Sequence, residues 1–272
     1  MSDRGMSLGI VGCGNMGSAL ATRLPKGSVL VHDIDARKQE ALARHAGARE
    51  ASSLEELVEA SDIVLVAVKP QDIDPVLATA RGLPQKLIIS IAAGITLAYL
   101  EKALAGTPVV RAMPNLNALI GRSVTALSFS PQVSVAQQGL AQKIFQAVGA
   151  VVLVSDSQMD AVTAVSGSGP AFVAYVKDAI EPDEIRRILE RTAKELGIEE
   201  RVAERLARAT VSGTLAMLDV NFDAQTLVKR VASKGGTTEA GLEVLKNEGQ
   251  SPEALAAAVH AACRRAAELS KK

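Results

Sequence analysis

Short apolar runs alternate with amphipathic stretches through the first half of the chain. Residues 8–11, 29–31, 63–68, 87–91 and 109–113 are β-rich runs of strand length. Between them, residues 18–24, 36–45, 54–60, 75–80 and 97–104 have helical character. Ser53 with Glu56 three residues on fits a capping box at one helix start. The strand runs are apolar throughout rather than alternating, which predicts a parallel sheet covered on both faces. Residues 124–129 and 151–154 read as later additions to that sheet, flanking a helix over about 135–148.

After about residue 155 the strand signals stop. Residues 159–165, 170–179, 183–196, 199–218, 224–231, 238–246 and 252–269 all read as helices. Val202, Leu206, Ala209, Gly213 and Ala216 keep apolar or small side chains on one helical face, a stripe that permits close helix–helix approach. The pattern predicts a sheet domain over 1–156 and an all-α domain over 157–272. The densely charged stretch 177–205 reads as a solvated helical hairpin.

A length of 272 residues agrees with two domains at roughly 150 residues each. Thirty basic and thirty acidic residues cancel, removing the electrostatic attraction on which nucleic-acid binding relies. Aromatic residues are 2% of the chain, too few for base-stacking platforms. Cys13 and Cys263 lie far apart and His32, His45 and His260 share no ligand spacing, so neither a disulfide framework nor a metal site is expected. The segment 8–20 is interrupted by Gly12, Gly14, Asn15 and Gly17, and no other stretch has the ~20 apolar residues of a membrane span. With no leader pattern, the expectation is a soluble cytoplasmic protein.

The chemistry begins at Gly12-Cys-Gly14-Asn15-Met16-Gly17, a G-x-G-x-x-G that directly follows a strand and opens a helix. Gly12 permits the tight turn, Gly14 lets the backbone approach a pyrophosphate, and Gly17 allows close helix–strand packing. An acidic residue, Asp33, ends the second strand some twenty residues on, completing a dinucleotide fingerprint. The first domain is therefore a Rossmann-type doubly wound sheet. Asp33 would hold a ribose 2′-hydroxyl and repel a 2′-phosphate, favouring NADH; Arg37 and Lys38 would accommodate that phosphate, and favour NADPH, were Asp33 to turn away. Val68, Lys69 and Pro70 end another strand, where Lys69 could neutralise a phosphate. Asn115, after the strand at 109–113, can donate and accept, which suits a nicotinamide amide or an ordered water.

In the helical half, Gly235 and Gly236 strip side chains from a turn just before a helix. Such a turn presents backbone N–H groups suited to a small carboxylate, while the hydroxyls of Thr237 and Thr238 can donate or accept. Gly167 and Gly169 flank Ser168 before Pro170; Ser166 and Ser168 would supply hydroxyls at a helix start, and the glycines would allow a close crossing. Three phrases carry a resemblance: Arg111-Ala-Met-Pro-Asn115, Asp160-Ala-Val-Thr163-Ala-Val-Ser166-Gly-Ser-Gly-Pro170-Ala-Phe-Val, and Ser233-Lys-Gly235-Gly236-Thr237-Thr238-Glu-Ala-Gly241. Together with the glycine loop, they make the chain resemble pyrroline-5-carboxylate reductase over nearly its whole length.

The resemblance implies NAD(P)H-dependent reduction of a cyclic imine, 1-pyrroline-5-carboxylate, to L-proline. It also implies a helical domain that self-associates as a homo-oligomer. Carried over residue by residue, Ser233, Gly235, Gly236, Thr237 and Thr238 form the substrate loop with Ser166, and Thr238 is the catalytic partner of the ring nitrogen. Leu116-Asn117 stand where the family usually has Thr-Pro, Lys234 stands where it has proline, and residues 177–200 are longer and more charged than its norm. Other readings are a β-hydroxyacid dehydrogenase, with Lys177 as the nearest lysine, another imine reductase, and a dinucleotide-binding regulator without turnover.

Overall fold

The computed structural model describes residues 7–220 and 222–271. The strands are β1 (Leu8–Val11), β2 (Val29–His32), β3 (Arg49–Glu50), β4 (Ile63–Val66), β5 (Leu87–Ser90), β6 (Val109–Met113), β7 (Ser123–Phe129) and β8 (Gly149–Leu153). Their order in the sheet is β3-β2-β1-β4-β5-β6-β7-β8, and the first six pair in parallel. Val64, Leu65, Ile88 and Ile89 are fully buried, the burial on both faces that continuous apolar runs require. The two-residue edge strand β3 was not foreseen. Arg49 and Glu50 carry no apolar signal and become a strand only by pairing with Leu30 and Val31.

The helices of the sheet half are α1 (Asn15–Ala21), α2 (Ala36–Ala46), α3 (Leu54–Ala60), α4 (Ile73–Thr79), α5 (Leu97–Leu104) and α6 (Val135–Gln146). Their starts follow local chemistry: Asp35, Ser53, Thr96 and Ser134 each accept a first-turn N–H. Ser53 caps α3 as expected, but the return bond of the capping box is absent: the Glu56 carboxylate accepts from Ser52, its N–H at 2.7 Å. α1 begins three residues earlier than its apolar pattern suggests, because the chain turns helical directly from Gly14. β4 ends at Val66 rather than 68, and Pro70–Asp72 form a 3₁₀ turn.

The chain divides into two compact units. One runs to Ala112 and takes in Leu127–Val148; the other is Met113–Ala126 with the chain from Gly149 on. This differs from the single expected break near 156, because residues 113–126 join the helical core: Met113, Val124 and Ala126 are buried in the same cluster as Phe172 and Leu206. No local periodicity could have signalled that exchange.

The second unit contains α7 (Met159–Val162), α8 (Gly169–Val176), α9 (Pro182–Glu195), α10 (Glu200–Asp219), α11 (Ala224–Val231), α12 (Thr237–Glu248) and α13 (Pro252–Leu269). The expected break at Gly-Ser-Gly is absent. Thr163–Gly167 form a π-helical turn in which Ser168 N–H reaches Thr163 O at 2.8 Å, so helical backbone runs from Met159 to Val176. Gly169 is the close-crossing glycine, since a Cβ there would sit 2.6 Å from Thr210 Cγ2, whereas one at Gly167 would make ordinary contact. α9 and α10 form the charged hairpin. Ile185, Ile188 and Leu189 bury one face of α9 while Arg186, Glu190 and Lys194 pair along the other.

One residue sits against its backbone preference. Ala105 closes α5 with φ 46° and ψ 62°, a left-handed conformation. That conformation costs an L-residue about 1–2 kcal/mol, and the extra unfolded-state entropy of glycine returns about 0.5–1 kcal/mol. Ala105→Gly is therefore expected to stabilise the protein by roughly 0.5–1 kcal/mol. Chemical denaturation would check this, and a variant less stable than the parent would contradict it.

Candidate active site

In the first unit the strand order reverses between β1 and β4, and the loops leaving these two strands meet. Ala67 N–H donates to Val11 O at 2.7 Å and Gly12 N–H to His32 O at 2.8 Å. Gly12 has φ +101°, and a Cβ there would lie 2.6 Å from Ala67 O. A Cβ at Gly17 would overlap the Gly12 carbonyl oxygen, while Gly14 is exposed with nothing within 4 Å of its Cβ position. Turn, approach and packing thus fall on the three glycines in the order a pyrophosphate-binding turn demands. Gly14 occupies the N-cap position of α1 without a side chain, leaving the N–H groups around Asn15 and Met16 uncapped by any hydroxyl.

Asp33 closes the loop from the end of β2. Its Oδ2 accepts Cys13 N–H at 2.7 Å and its Oδ1 accepts Asp35 N–H at 2.8 Å. Val68 is half-buried and Lys69 exposed, and Pro70 starts the 3₁₀ turn beside the loop. These residues fit a bound dinucleotide: the turn is open where a phosphate must approach, and a fixed carboxylate stands where a ribose hydroxyl needs an acceptor. Cys13 is buried within the loop. Burial, with the Asp33 and Glu50 carboxylates adding to it, pushes its thiol up to about 12.

The second unit gathers two of the residues expected in the substrate loop, Thr237 and Thr238, around one hydroxyl. Ser168, fully buried, accepts from Thr238 Oγ1 at 3.0 Å and shares a second 3.0 Å hydrogen bond with Thr237 Oγ1. Just upstream on the π turn, Ser166 Oγ accepts from Asn115 Nδ2 at 3.1 Å. Asn115 N–H donates to Ser123 Oγ, while Asn115 Oδ1 is buried with no hydrogen-bond partner. Asn115, expected with the cofactor set, therefore lies in the second unit and is bonded to Ser166.

The loop before α12 is held from both sides. Gly235, at φ +70°, donates its N–H to Glu239 Oε2 at 2.6 Å and accepts from Arg265 Nε at 2.9 Å. Gly236 N–H donates to Ser233 O at 2.9 Å, and a Cβ on Gly236 would overlap Ser233 Oγ. Both glycine N–H groups are thus engaged inside the loop. The donors left for an anion are the first N–H groups of α12, at Thr237 and Thr238. Lys234 is exposed on the same loop. The helix start expected beside Ser166 and Ser168 does not exist, because the π turn carries the helix through it.

Sequence reasoning did not assign Glu239 and Arg265. An acid in the first turn of a helix is a recognisable signal for Glu239, but Arg265 comes from another helix, thirty residues from Gly235, and leaves none. The departure at Asn117 is structural: Asn117 Nδ2 donates to Thr210 O at 3.2 Å, and a Cβ on Gly213 would lie 2.6 Å from that nitrogen. Among the described residues no three His, Cys, Asp or Glu side chains cluster as metal ligands, and no helix is long and apolar enough to cross a membrane.

A doubly wound sheet bearing this glycine turn, joined to a helical unit with a hydroxyl-lined loop, defines a nicotinamide-dependent oxidoreductase. Residues 7–94 match the family model described as NADP oxidoreductase, coenzyme F420-dependent, and residues 156–269 match that for pyrroline-5-carboxylate reductase dimerisation. The chain is 37% identical to the pyrroline-5-carboxylate reductase of Synechocystis over 98% of its own length and 99% of the relative's. It is 36% identical to that of Mycobacterium tuberculosis over 96% of each chain. The solved pyrroline-5-carboxylate reductase of Coxiella burnetii aligns with a TM-score of 0.67 at 31% identity, covering 98% and 99% of the two chains. The Plasmodium falciparum enzyme, solved with NADP bound, aligns with a TM-score of 0.65 at 26% identity, covering 99% and 100%. The chain belongs to the pyrroline-5-carboxylate reductase family, and the dimerisation match supports self-association.

Two outcomes follow from the nucleotide turn. Gly17→Ala forces main chain apart and is expected to weaken dinucleotide binding at least tenfold, read by calorimetric titration; unchanged affinity would contradict the close approach. With its thiol near 12, Cys13 holds about one thiolate in ten thousand at pH 8. Iodoacetamide at pH 8 should therefore leave Cys13 unmodified by mass spectrometry, and rapid labelling of the folded protein would refute its burial.

Proposed function

We propose that the protein reduces 1-pyrroline-5-carboxylate to L-proline with NAD(P)H. The observation that carries this reading is the buried Ser168–Thr238 hydroxyl pair at the first turn of α12, next to uncapped helix-start N–H groups. A small ring bearing a carboxylate and an imine nitrogen needs those two features side by side. The N–H groups of Thr237 and Thr238 meet the carboxylate, with the positive end of the helix and Lys234 adding to the attraction. The Thr238 hydroxyl meets the ring nitrogen, and Ser168 fixes that hydroxyl's direction.

A bound reduced nicotinamide would supply a hydride to the imine carbon, the nicotinamide being oxidised by two electrons as C=N⁺H is reduced to CH–NH. The protein's task is orientation rather than proton extraction, because the protonated imine is already a strong acceptor. Neither cysteine suits acid–base work: burial raises both thiols. Ser233, Gly235 and Gly236 shape the substrate loop, and Asn115 and Ser166 extend its polar wall. Gly12, Gly14, Asn15, Met16, Gly17, Asp33, Val68, Lys69 and Pro70 hold the dinucleotide. The β-hydroxyacid alternative loses support because relatives matched over nearly the whole chain are named pyrroline-5-carboxylate reductase. In this reading the partners are the imine and a second copy of the chain rather than a nucleic acid. Two free cysteines suit a reducing cytoplasm.

Purified protein given 1-pyrroline-5-carboxylate should oxidise NADH or NADPH and form proline; binding of cofactor without oxidation would defeat the proposal. Thr238→Ala removes one hydrogen bond to a charged nitrogen, which costs about 1.5–3 kcal/mol, or roughly 10–150-fold in kcat/KM. Cofactor Kd should stay within about threefold, and Thr238→Ser should recover most of the loss. A variant that instead loses cofactor binding would show that Thr238 has another role.

A further inference from the structure

We infer that the adenosine end of the nucleotide site selects NADH over NADPH, through a carboxylate at Asp33 that the fold prevents from turning away. The inference rests on the dinucleotide reading given above and decides between the two cofactors that reading allows. Accommodation of a 2′-phosphate by Arg37 and Lys38 requires Asp33 to swing aside. Both of its oxygens are engaged by main-chain N–H groups, Oδ2 by Cys13 at 2.7 Å and Oδ1 by Asp35 at 2.8 Å. One of those N–H groups belongs to the glycine turn itself, so moving the carboxylate unties the phosphate cradle. The backbone beneath is equally fixed: Asp33 N–H donates to Gln39 Oε1 at 2.9 Å, and Gln39 Nε2 donates to Ala51 O at 2.9 Å.

Each carboxylate oxygen keeps a second lone pair, so Asp33 can still accept from a ribose hydroxyl while presenting a fixed negative charge to a phosphate. The cations nearby do not offset that charge. The Lys38 ammonium stands 3.5 Å from Asp35 Oδ2, a second carboxylate two residues from the first. Arg37 is exposed on a flexible stem.

A second feature points to the same end of the ligand. Ile34, between the two aspartates, is 97% exposed, the most exposed large apolar side chain among the described residues. An isoleucine in water beside a ribose-binding carboxylate is placed to cover one face of an adenine ring. That contact is common to both cofactors, so it adds affinity without selectivity.

The test is calorimetric titration of the full-length protein with NADH and with NADPH, without imine, alongside kcat/KM for each cofactor with imine present. NADH is expected to bind at least tenfold more tightly and to give at least tenfold higher kcat/KM. Asp33→Ser should close or reverse that ratio by weakening NADH and strengthening NADPH. Ile34→Ala should weaken both cofactors by a similar factor and leave the ratio unchanged, which keeps the test valid if Asp33→Ser fails to fold. Equal or tighter binding of NADPH by the parent protein overturns the inference while leaving imine reduction intact. Preferential NADH binding without imine reduction would do the reverse. Binding of neither would remove the nucleotide site on which both rest.

Discussion

The first unit depends on main chain lying against main chain at the end of β1. Helix α1 can leave that strand so abruptly only because the Gly12 carbonyl packs against the bare Cα of Gly17. Val11 O at the same time holds Ala67 N–H from the loop after β4. Three backbone segments thus occupy space that side chains would otherwise fill, and the opening left beside Gly14 is the consequence. Asp33 locks the arrangement by bonding the turn's own N–H. The same few bonds therefore set the shape of the glycine turn and the charge beside it.

The second unit solves a similar problem with hydroxyls. A buried serine carries donors and acceptors that must be satisfied, and Ser168 meets that demand with Thr237 and Thr238. The loop that presents these threonines is kept in place by Glu239 and Arg265 gripping opposite ends of the Gly235 residue. Exposed ion pairs on the α9–α10 hairpin do no comparable positioning. They sit on a solvated face where each contributes little.

Much of this was legible in the sequence because the signals are local. Continuous apolar runs marked the parallel strands, and β1, β6, α3, α5, α11 and α13 fall on the expected boundaries. The glycine turn with Asp33 is a short motif whose geometry follows from three missing side chains. What escaped has distant causes. β3 exists through its neighbour rather than its own residues. Residues 113–126 belong to the helical core because of what they bury, and Arg265 reaches Gly235 from another helix. Asn117 looked like a departure from a family pattern and proved to be a ligand of the α10 backbone at the point where Gly213 lets the chains approach.

The π turn at Thr163–Gly167 makes the hydroxyl cluster a matter of counting. A wide turn takes up one more residue than the α-helical turn it replaces. Were this turn to relax to an ordinary helix while keeping all its residues, everything after it would rotate by about 100°. Ser168 would then face away from Thr237 and Thr238 though every side chain were still present. The width of this turn, more than the identity of any residue within it, is what keeps Ser168 on the side of the two threonines.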